Sequence, residues 1–352
     1  MTKVHLRPAV AALPGYQAGA RPSGRLVYKL SSNESPYPPL PGVMAAVADS
    51  LADLNRYPAM LADDLVDGIA RFHDLEPGQV SVGAGSISVL GHILTAVAGE
   101  SDEVAYAWRS FEAYPIVVGV TGARAVTAPL APDGRLDLAA LSAHVTERTR
   151  AVLVCSPNNP TGPAVRDDEF KRFMAGLPES VLVVLDQAYA EFVTDPQAVR
   201  AVSALAAYPN LVVLRTFSKA YGLAGLRVGY ALGRPRLIAA IRAVTTPFSV
   251  SAAAEMAAIT SLQLQDELRE RVAGIVERRT FLREGLIAEG WEVPDAQGNF
   301  VWLELGPEAA PFADACKRAG VLVRPFPNEG VRVSVGEQEG IERFLETAAT
   351  WV

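Results

Sequence analysis

Cysteine and histidine are scarce in this chain of 352 residues, which carries two of the first and four of the second. Cys155 and Cys316 are too few for a disulfide framework or a cysteine-based metal site, and neither has a histidine beside it in sequence, so thiol redox and zinc chemistry are not expected. No apolar stretch approaches the ~18 residues of a membrane-spanning helix. Pro8 and Pro14 interrupt the start, where a secretory signal needs an unbroken apolar core. The expected location is the cytoplasm, with no membrane partner. Runs of five like charges are also missing; 32 basic and 39 acidic side chains are spread along the chain, giving a net −7 and no footprint for nucleic acid. Half the residues are apolar, which excludes disorder and suits one large or two ordinary domains.

What is present is an alternation of short β-rich runs with Ala/Leu-rich amphipathic stretches, the pattern of βα units around a mostly parallel sheet. The strands expected are Gln79 to Val82, Glu103 to Ala107, Ala123 to Ala128, Ala151 to Cys155, Val181 to Leu185, Leu211 to Leu214 and Val228 to Ala231. Continuous apolar runs such as Val181 to Leu185 suit strands covered on both faces. After Pro247 a long helical pattern runs from about Ser251 to Glu289, followed by alternating segments at Asn299 to Leu305 and Val331 to Val335. These read as a second, smaller α+β domain, with the boundary near residues 245 to 250. Seven prolines between Leu6 and Pro41 predict an irregular opening segment that wraps the surface or reaches a neighbouring subunit.

The chemistry concentrates at strand ends. Thr216 to Tyr230 follows a buried-type strand and places Lys219 among hydroxyl residues and glycines, with Arg227 eight residues on. A phosphate-bearing aldehyde cofactor needs that set: an amine for a Schiff base, hydroxyls and a guanidinium for the phosphate dianion, and glycines for close backbone approach. A surface lysine in a Gly-rich turn is the plainer alternative. Asp186 ends the run Val181 to Leu185, at the ligand edge of an open α/β sheet, where a carboxylate pairs with a protonated pyridine nitrogen; alone, it is equally a helix N-cap. Tyr189 lies within reach of the same ring. Asn159, in Ser156-Pro157-Asn158-Asn159-Pro160-Thr161-Gly162, is a donor for a ring oxygen or simply part of a turn. Val82 to Ser88 ends a strand and opens a helix, so backbone amides and Ser86 face any phosphate there, unless the serine is only a cap.

Together, Asn159-Pro160-Thr161-Gly162, Asp186-x-x-Tyr189, Ser218-Lys219 and Arg227 resemble the fold-type I pyridoxal-phosphate aminotransferases. Asn33-Glu34-Ser35-Pro36-Tyr37, Arg56-Tyr57-Pro58 and Phe217 to Arg227 narrow the resemblance to the histidinol-phosphate aminotransferase branch and the bacterial aromatic amino acid (phenylalanine) aminotransferases that share these motifs. The likeness extends from about Arg7 to Val335. It implies an α/β fold: a mostly parallel seven-stranded sheet in a large cofactor domain at 41–247, a smaller α+β domain at 248–352, and an arm at 1–40 packing on the latter. It implies pyridoxal 5′-phosphate, with Lys219 as Schiff-base lysine and proton carrier, Asp186 on the pyridine nitrogen, and Asn159 and Tyr189 on the ring hydroxyl. Ala84, Gly85, Ser86, Thr216, Ser218 and Arg227 are implied around the phosphate, joined by Tyr57 from the partner subunit of a homodimer with shared active sites. Phe111 is implied as the stacking residue and Arg332 as the clamp on the substrate carboxylate.

Two departures stand out. Gln187 replaces the glutamate usual after the aspartate, and Trp108 to Tyr114 lacks the Pro-rich entry of the histidinol-phosphate enzymes and is more similar to the aromatic ones. Substrate choice turns on Arg324: with Arg332 it suits a phosphate, whereas paired with a carboxylate such as Glu329 it leaves one arginine for an α-carboxylate. Tyr16, Asn33 and Tyr37 are expected near the substrate, and Tyr16, Tyr37 and Phe326 supply a candidate aromatic wall. The expected activity is transamination of phenylalanine, tyrosine or tryptophan with an α-keto acid acceptor. The alternatives are histidinol-phosphate transamination and a lyase or decarboxylase on the same fold. A ligand-binding regulator is disfavoured, since the segment before Asn33 is too short and too weakly basic for a DNA-binding module.

Overall fold

A computed structural model describes residues 4, 5, 7–11, 13, 15 and 27–351. Its strands, in chain order, are β1 (Tyr28–Lys29), β2 (Val80–Gly83), β3 (Glu103–Trp108), β4 (Arg124–Pro129), β5 (Thr149–Cys155), β6 (Leu182–Asp186), β7 (Leu211–Thr216), β8 (Gly229–Gly233), β9 (Phe300–Glu304), β10 (Val321–Leu322), β11 (Arg324–Phe326) and β12 (Gly330–Ser334). Seven of them form one sheet in the order β2-β8-β7-β6-β5-β3-β4. Only β8 runs against its neighbours; the other pairings are parallel. Each of the seven expected strands is present, with its ends displaced by at most two residues.

The apolar runs are continuous because both faces of this sheet are covered. Along β6, Val183 and Leu185 enter one core while Leu182 and Val184 enter the other. Val212 and Leu214 of β7 alternate in the same way with Leu211 and Val213. One face is closed by helices Ser86–Val97, Tyr114–Thr121 and Pro235–Ala243. Asp63–His73, Asp167–Gly176 and Ala252–Gln263 close the other. At the sheet edge β4 buries only Ala128 and leaves Arg124 and Pro129 exposed, which discourages further strand pairing.

The expected single helical run from Ser251 to Glu289 is instead two helices, Ala252–Gln263 and Gln265–Ala288. Leu264 breaks it with φ −104° and ψ 51°. The Ser261 hydroxyl donates back to the Ala257 carbonyl at 2.7 Å, and the Ser261 carbonyl is capped by the Gln265 side chain at 3.2 Å. Such local side-chain bonds compete with the helical ladder. From the second helix the buried Arg279 donates to the carbonyls of Phe192 (2.8 Å) and Gly298 (3.1 Å), tying the C-terminal elements to the large sheet.

A second sheet, antiparallel in the order β11-β12-β9, sets Arg324 opposite Arg332 and Arg332 opposite Trp302. The opening segment adjoins it: the carbonyl of the buried Leu30 accepts from the Ser334 amide at 2.9 Å, and β1 pairs in parallel with β10 in a separate two-stranded sheet. Among the described residues, no helix is long and apolar enough to cross a membrane.

Leu185 is fully buried at the centre of the large sheet. Leu185→Ala is expected to lower the unfolding free energy by about 2–5 kcal/mol, checked by urea denaturation with an unchanged slope.

Candidate active site

Because β2 is antiparallel to β8 and β8 to β7, six of the seven strands point the same way, and their C-terminal ends open onto one edge. A cavity of about 460 Å³ lies there. Its wall includes Ser86 beyond β2, Phe111 beyond β3, Asn159 beyond β5, Asp186 and Tyr189 at β6, and Thr216, Ser218 and Lys219 at β7. Arg227, Asn33, Arg324 and Arg332 complete it from elsewhere in the chain.

Asp186 is the electrostatic centre. It is 5% exposed, and its carboxylate accepts from the Tyr114 hydroxyl at 2.8 Å and the Ala188 amide at 3.2 Å. Burial raises its pKa to about 6, against the pull of those two donors and of Lys219. The N-cap alternative does not hold, since the short 3₁₀ turn that follows is entered from Tyr189. Lys219 is moved the opposite way: burial, and then the positive charge of Arg332, lower its pKa to about 8. Its Nζ contacts the Ser32 carbonyl at 3.4 Å and lies 5.8 Å from the Tyr189 ring centre. A buried carboxylate held by neutral donors fits a protonated ring nitrogen, and a lysine poised to lose its proton fits an amine that reacts with an aldehyde.

The opposite end suits a dianion. Gly85, at φ 83°, turns the chain from β2 into the helix that starts at Ser86, so the Ser86 side chain is not the cap and lines the cavity. A Cβ on Gly85 would lie 2.3 Å from Nη2 of Arg227, and one on Gly229 would lie 2.4 Å from the Ser86 amide. Both glycines therefore let β8 and Arg227 close on a helix N-terminus, where unsatisfied amides and a guanidinium converge. Arg227 itself takes a left-handed φ of 58° and donates to the Ser218 hydroxyl at 3.4 Å and the Ala224 carbonyl at 3.1 Å. Ala84 lies half-buried in the same turn, and the cavity wall begins after it, at Ser86. Thr216 accepts from the Ser218 amide at 3.1 Å, which shapes the strand exit.

Three further groups are held by the second sheet. Arg332 donates to Asn159 Oδ1 at 2.6 Å and to the Ser31 carbonyl at 2.8 Å, which commits the Asn159 oxygen and keeps its amide nitrogen as the donor. Tyr189 accepts from Asn33 Nδ2 at 3.0 Å, and Asn33 Oδ1 accepts from the Ser334 hydroxyl at 2.7 Å. Asn33 thus positions Tyr189. Arg324 pairs with Glu112 at 3.0 Å, not with Glu329; Glu329 is taken by Arg109, whose Nε donates at 2.6 Å. The turn after β3 brings both acceptors and donors of these pairs within reach, which a distance in sequence does not reveal.

The expected aromatic wall is largely displaced. Tyr37 packs beside Arg271 and Arg278 of the long helix, 5.8 Å and 5.2 Å from their guanidiniums, and Phe326 is buried edge-on to Trp302 beneath Arg324 and Arg332. Both are drawn into apolar packing and cation–π contact away from the cavity. Tyr16 lies outside the described residues. Tyr57, at the surface, is 84% exposed. Gln187 turns to Arg215, accepting at 3.0 Å, while Glu191 supplies the carboxylate for that arginine. The sequence reading does not single out Tyr114 and Glu112; the signal available is their place three residues and one residue beyond Phe111.

Similarity to known proteins agrees with this geometry. A family model described as aminotransferase class I and II matches residues 26–347. The aromatic amino acid aminotransferase of Thermobifida fusca is 49% identical over 350 residues, covering 99% of this chain and 97% of that protein. Its Streptomyces coelicolor namesake is 48% identical over 349 residues, with 99% and 97% covered. Among solved structures, a histidinol-phosphate aminotransferase from Sinorhizobium meliloti in complex with pyridoxal-5′-phosphate superposes with a TM-score of 0.88 at 28% identity, covering 99% of this chain and 98% of that one. A Thermus thermophilus aspartate aminotransferase mutant shares the fold, with a TM-score of 0.85 at 23% identity and 99% of both chains covered.

The lowered pKa of Lys219 has a direct check. In protein stripped of small molecules, amine-directed modification of Lys219, mapped by peptide mass across pH, is expected to show a midpoint near 8, and Arg332→Met is expected to raise it. A midpoint at the ordinary lysine value in both proteins contradicts the assignment.

Proposed function

The chain belongs to the class I and II aminotransferases, and on that premise we propose that it moves the amino group of aromatic L-amino acids (phenylalanine, tyrosine and tryptophan) to an α-keto acid, with pyridoxal 5′-phosphate as cofactor. The observation that carries the substrate choice is the setting of Arg332: one guanidinium held by neutral oxygens, in a cavity also lined by Phe111, Ile87, Ile116 and Val117. That suits an α-carboxylate attached to an uncharged side chain. Relatives of nearly full length named aromatic amino acid aminotransferases support the same reading.

Bound pyridoxal 5′-phosphate supplies an aldehyde for the substrate amine and a protonated ring that draws electrons from the substrate Cα. Asp186 would hold the proton on the ring nitrogen. Ser86, the amides at the start of its helix, Ser218 and Arg227 would hold the phosphate, Asn159 and Tyr189 would orient the ring, and Phe111 would pack against it. Lys219, whose burial beside Arg332 lowers its pKa to about 8 and so eases loss of its own proton, would in its neutral form accept the proton from Cα on Nζ. In domain terms, 41–247 forms the cofactor platform, 248–352 presents Arg332, and 1–40 joins them through Asn33.

Histidinol-phosphate transamination is the second reading, favoured by the likeness to the Sinorhizobium enzyme. It asks Arg324 to serve a phosphate while Glu112 already engages it.

We also propose a homodimer in the cytoplasm. Met44, Leu51, Leu54, Tyr57, Met60 and Phe248 are all exposed, and the Tyr57 and Phe248 rings sit 5.0 Å apart. An apolar patch of this kind suits a second copy of the chain, which places Tyr57 toward the neighbouring phosphate site. Two buried free thiols suit a reducing compartment.

Two outcomes are expected. Single-turnover mixing of the yellow holoenzyme with phenylalanine bleaches its visible absorbance faster than histidinol phosphate does, and Lys219→Ala slows the reaction by ~10²–10⁴-fold; the reverse substrate preference makes it a histidinol-phosphate enzyme. By sedimentation velocity the wild-type chain runs as a dimer and Leu54→Glu shifts it toward monomer, whereas a monomeric wild type removes the shared-site assignment.

A further inference from the structure

Strand β7 carries a charge to the side of the sheet away from the cavity. Side chains alternate along it, so Thr216 lines the cavity while Arg215 lies on the face where Leu211 and Val213 are buried. Arg215 is 14% exposed and its partner Glu191 13%. An ion pair so far out of water is costly unless its geometry is well satisfied. Here both arms of the guanidinium are used: Nη1 donates to Gln187 Oε1 at 3.0 Å and Nη2 to the Glu191 carboxylate at 3.1 Å.

Those two acceptors bracket the turn that carries the ring contacts. Gln187 directly follows Asp186, and Glu191 lies two residues beyond Tyr189. The Gln187 amide also donates to the Leu214 carbonyl of β7 at 2.9 Å. The turn has little structure of its own, only the bonds from the Ala190 amide to the Gln187 carbonyl (3.2 Å) and from the Phe192 amide to the Tyr189 carbonyl (3.1 Å). A planar guanidinium therefore fastens both ends of the turn to the strand that leads into Lys219.

The glutamine at 187 fits this setting. While Oε1 accepts from Arg215, Nε2 donates to the Val199 carbonyl at 3.4 Å. A glutamate would set a carboxylate oxygen against that carbonyl and add a second negative charge beside an arginine already matched by Glu191. Tyr230, directly opposite Arg215 in register, meets His73 Nε2 at 2.9 Å. Burial, and then the charge of Arg215, lower the His73 pKa to about 4, so the imidazole adds no charge. The cluster is balanced, one arginine to one glutamate.

We propose that Arg215 is a positioning residue for the cofactor site: by holding Gln187 and Glu191 it fixes where Tyr189 stands relative to Lys219. This rests on the reading of the cavity as a pyridoxal-phosphate site. Arg215 lies outside the cavity wall and acts through the turn. Asn33 steadies Tyr189 at its hydroxyl, and Arg215 steadies the backbone that bears it.

The test follows the visible absorbance of the holoenzyme against pH, with no substrate present. When Tyr189 donates less well, the ring oxygen keeps more negative charge and the Lys219 nitrogen beside it holds its proton to higher pH. The midpoint is therefore expected to rise by about one pH unit in Arg215→Lys, which keeps the charge and loses the fork, and in Arg215→Met combined with Glu191→Gln, which removes both charges together. Tyr189→Phe is expected to raise it too, and adding Arg215→Lys to Tyr189→Phe to raise it no further, because both act on one contact. A midpoint unchanged by the Arg215 substitutions, or a shift that adds in full to that of Tyr189→Phe, overturns the proposal. If the charge-free pair of substitutions does not fold, Arg215→Lys carries the test. A wild type with no visible band overturns the cofactor reading and this one with it, whereas a band whose midpoint ignores Arg215 overturns this one alone. Failure to convert phenylalanine bears only on the substrate, since the midpoint is read without one.

Discussion

A carboxylate is kept out of water at the end of a central strand with a phenol and a single amide as its donors, and the rest of the site is arranged around that fact. Asp186 is held there by β6, whose neighbours β5 and β7 run parallel to it and whose two faces are sealed by separate cores. Such burial disfavours the charge, which is why its pKa rises to about 6. A positive charge brought beside it would offset that penalty. The same burial lowers Lys219 to about 8, so that its amine gives up a proton more readily than an exposed lysine. One property of the sheet, its dryness at the strand ends, thus prepares an acid and a base in opposite senses.

The second sheet contributes charge. Its arginines enter the cavity side by side, Arg324 against the Glu112 carboxylate and Arg332 against the Asn159 side-chain oxygen. The opening segment helps to hold them. Ser31 and Ser32 present carbonyls to Arg332 and Lys219, and Asn33 links Tyr189 to Ser334. Groups of the large sheet and of the second sheet are therefore joined through a short stretch of chain that has almost no regular structure of its own.

Strands and chemistry were legible in the sequence wherever the signal was local. Val181 to Leu185 reads as a doubly covered strand because a run of apolar residues has no polar face to show water. Lys219 stands out because hydroxyls, glycines and an arginine crowd within a few residues of it. Partners that depend on distant loops meeting were not legible. Proximity in sequence offers Arg324 a carboxylate such as Glu329 as one of two readings, yet Glu112, more than two hundred residues away, is the acceptor. Tyr37 and Phe326 were assigned to the substrate because they are aromatic, and packing drew them elsewhere. The continuous helical pattern after Ser251 hid a break because the apolar spacing carries on through Leu264 while the backbone does not.

By itself, then, the sequence determined the α/β architecture, the strands and the strand-end places of Lys219 and Asp186, since each follows from residue types set close together along the chain. The tertiary structure alone decided which charges answer one another: that Tyr114 serves Asp186, that Asn33 steadies Tyr189, and that Glu112 rather than Glu329 meets Arg324. The physical reason is range. Burial pattern and backbone preference act between neighbours in the chain, whereas hydrogen bonds and ion pairs act between neighbours in space, and those exist only once the loops at the strand ends have been brought together.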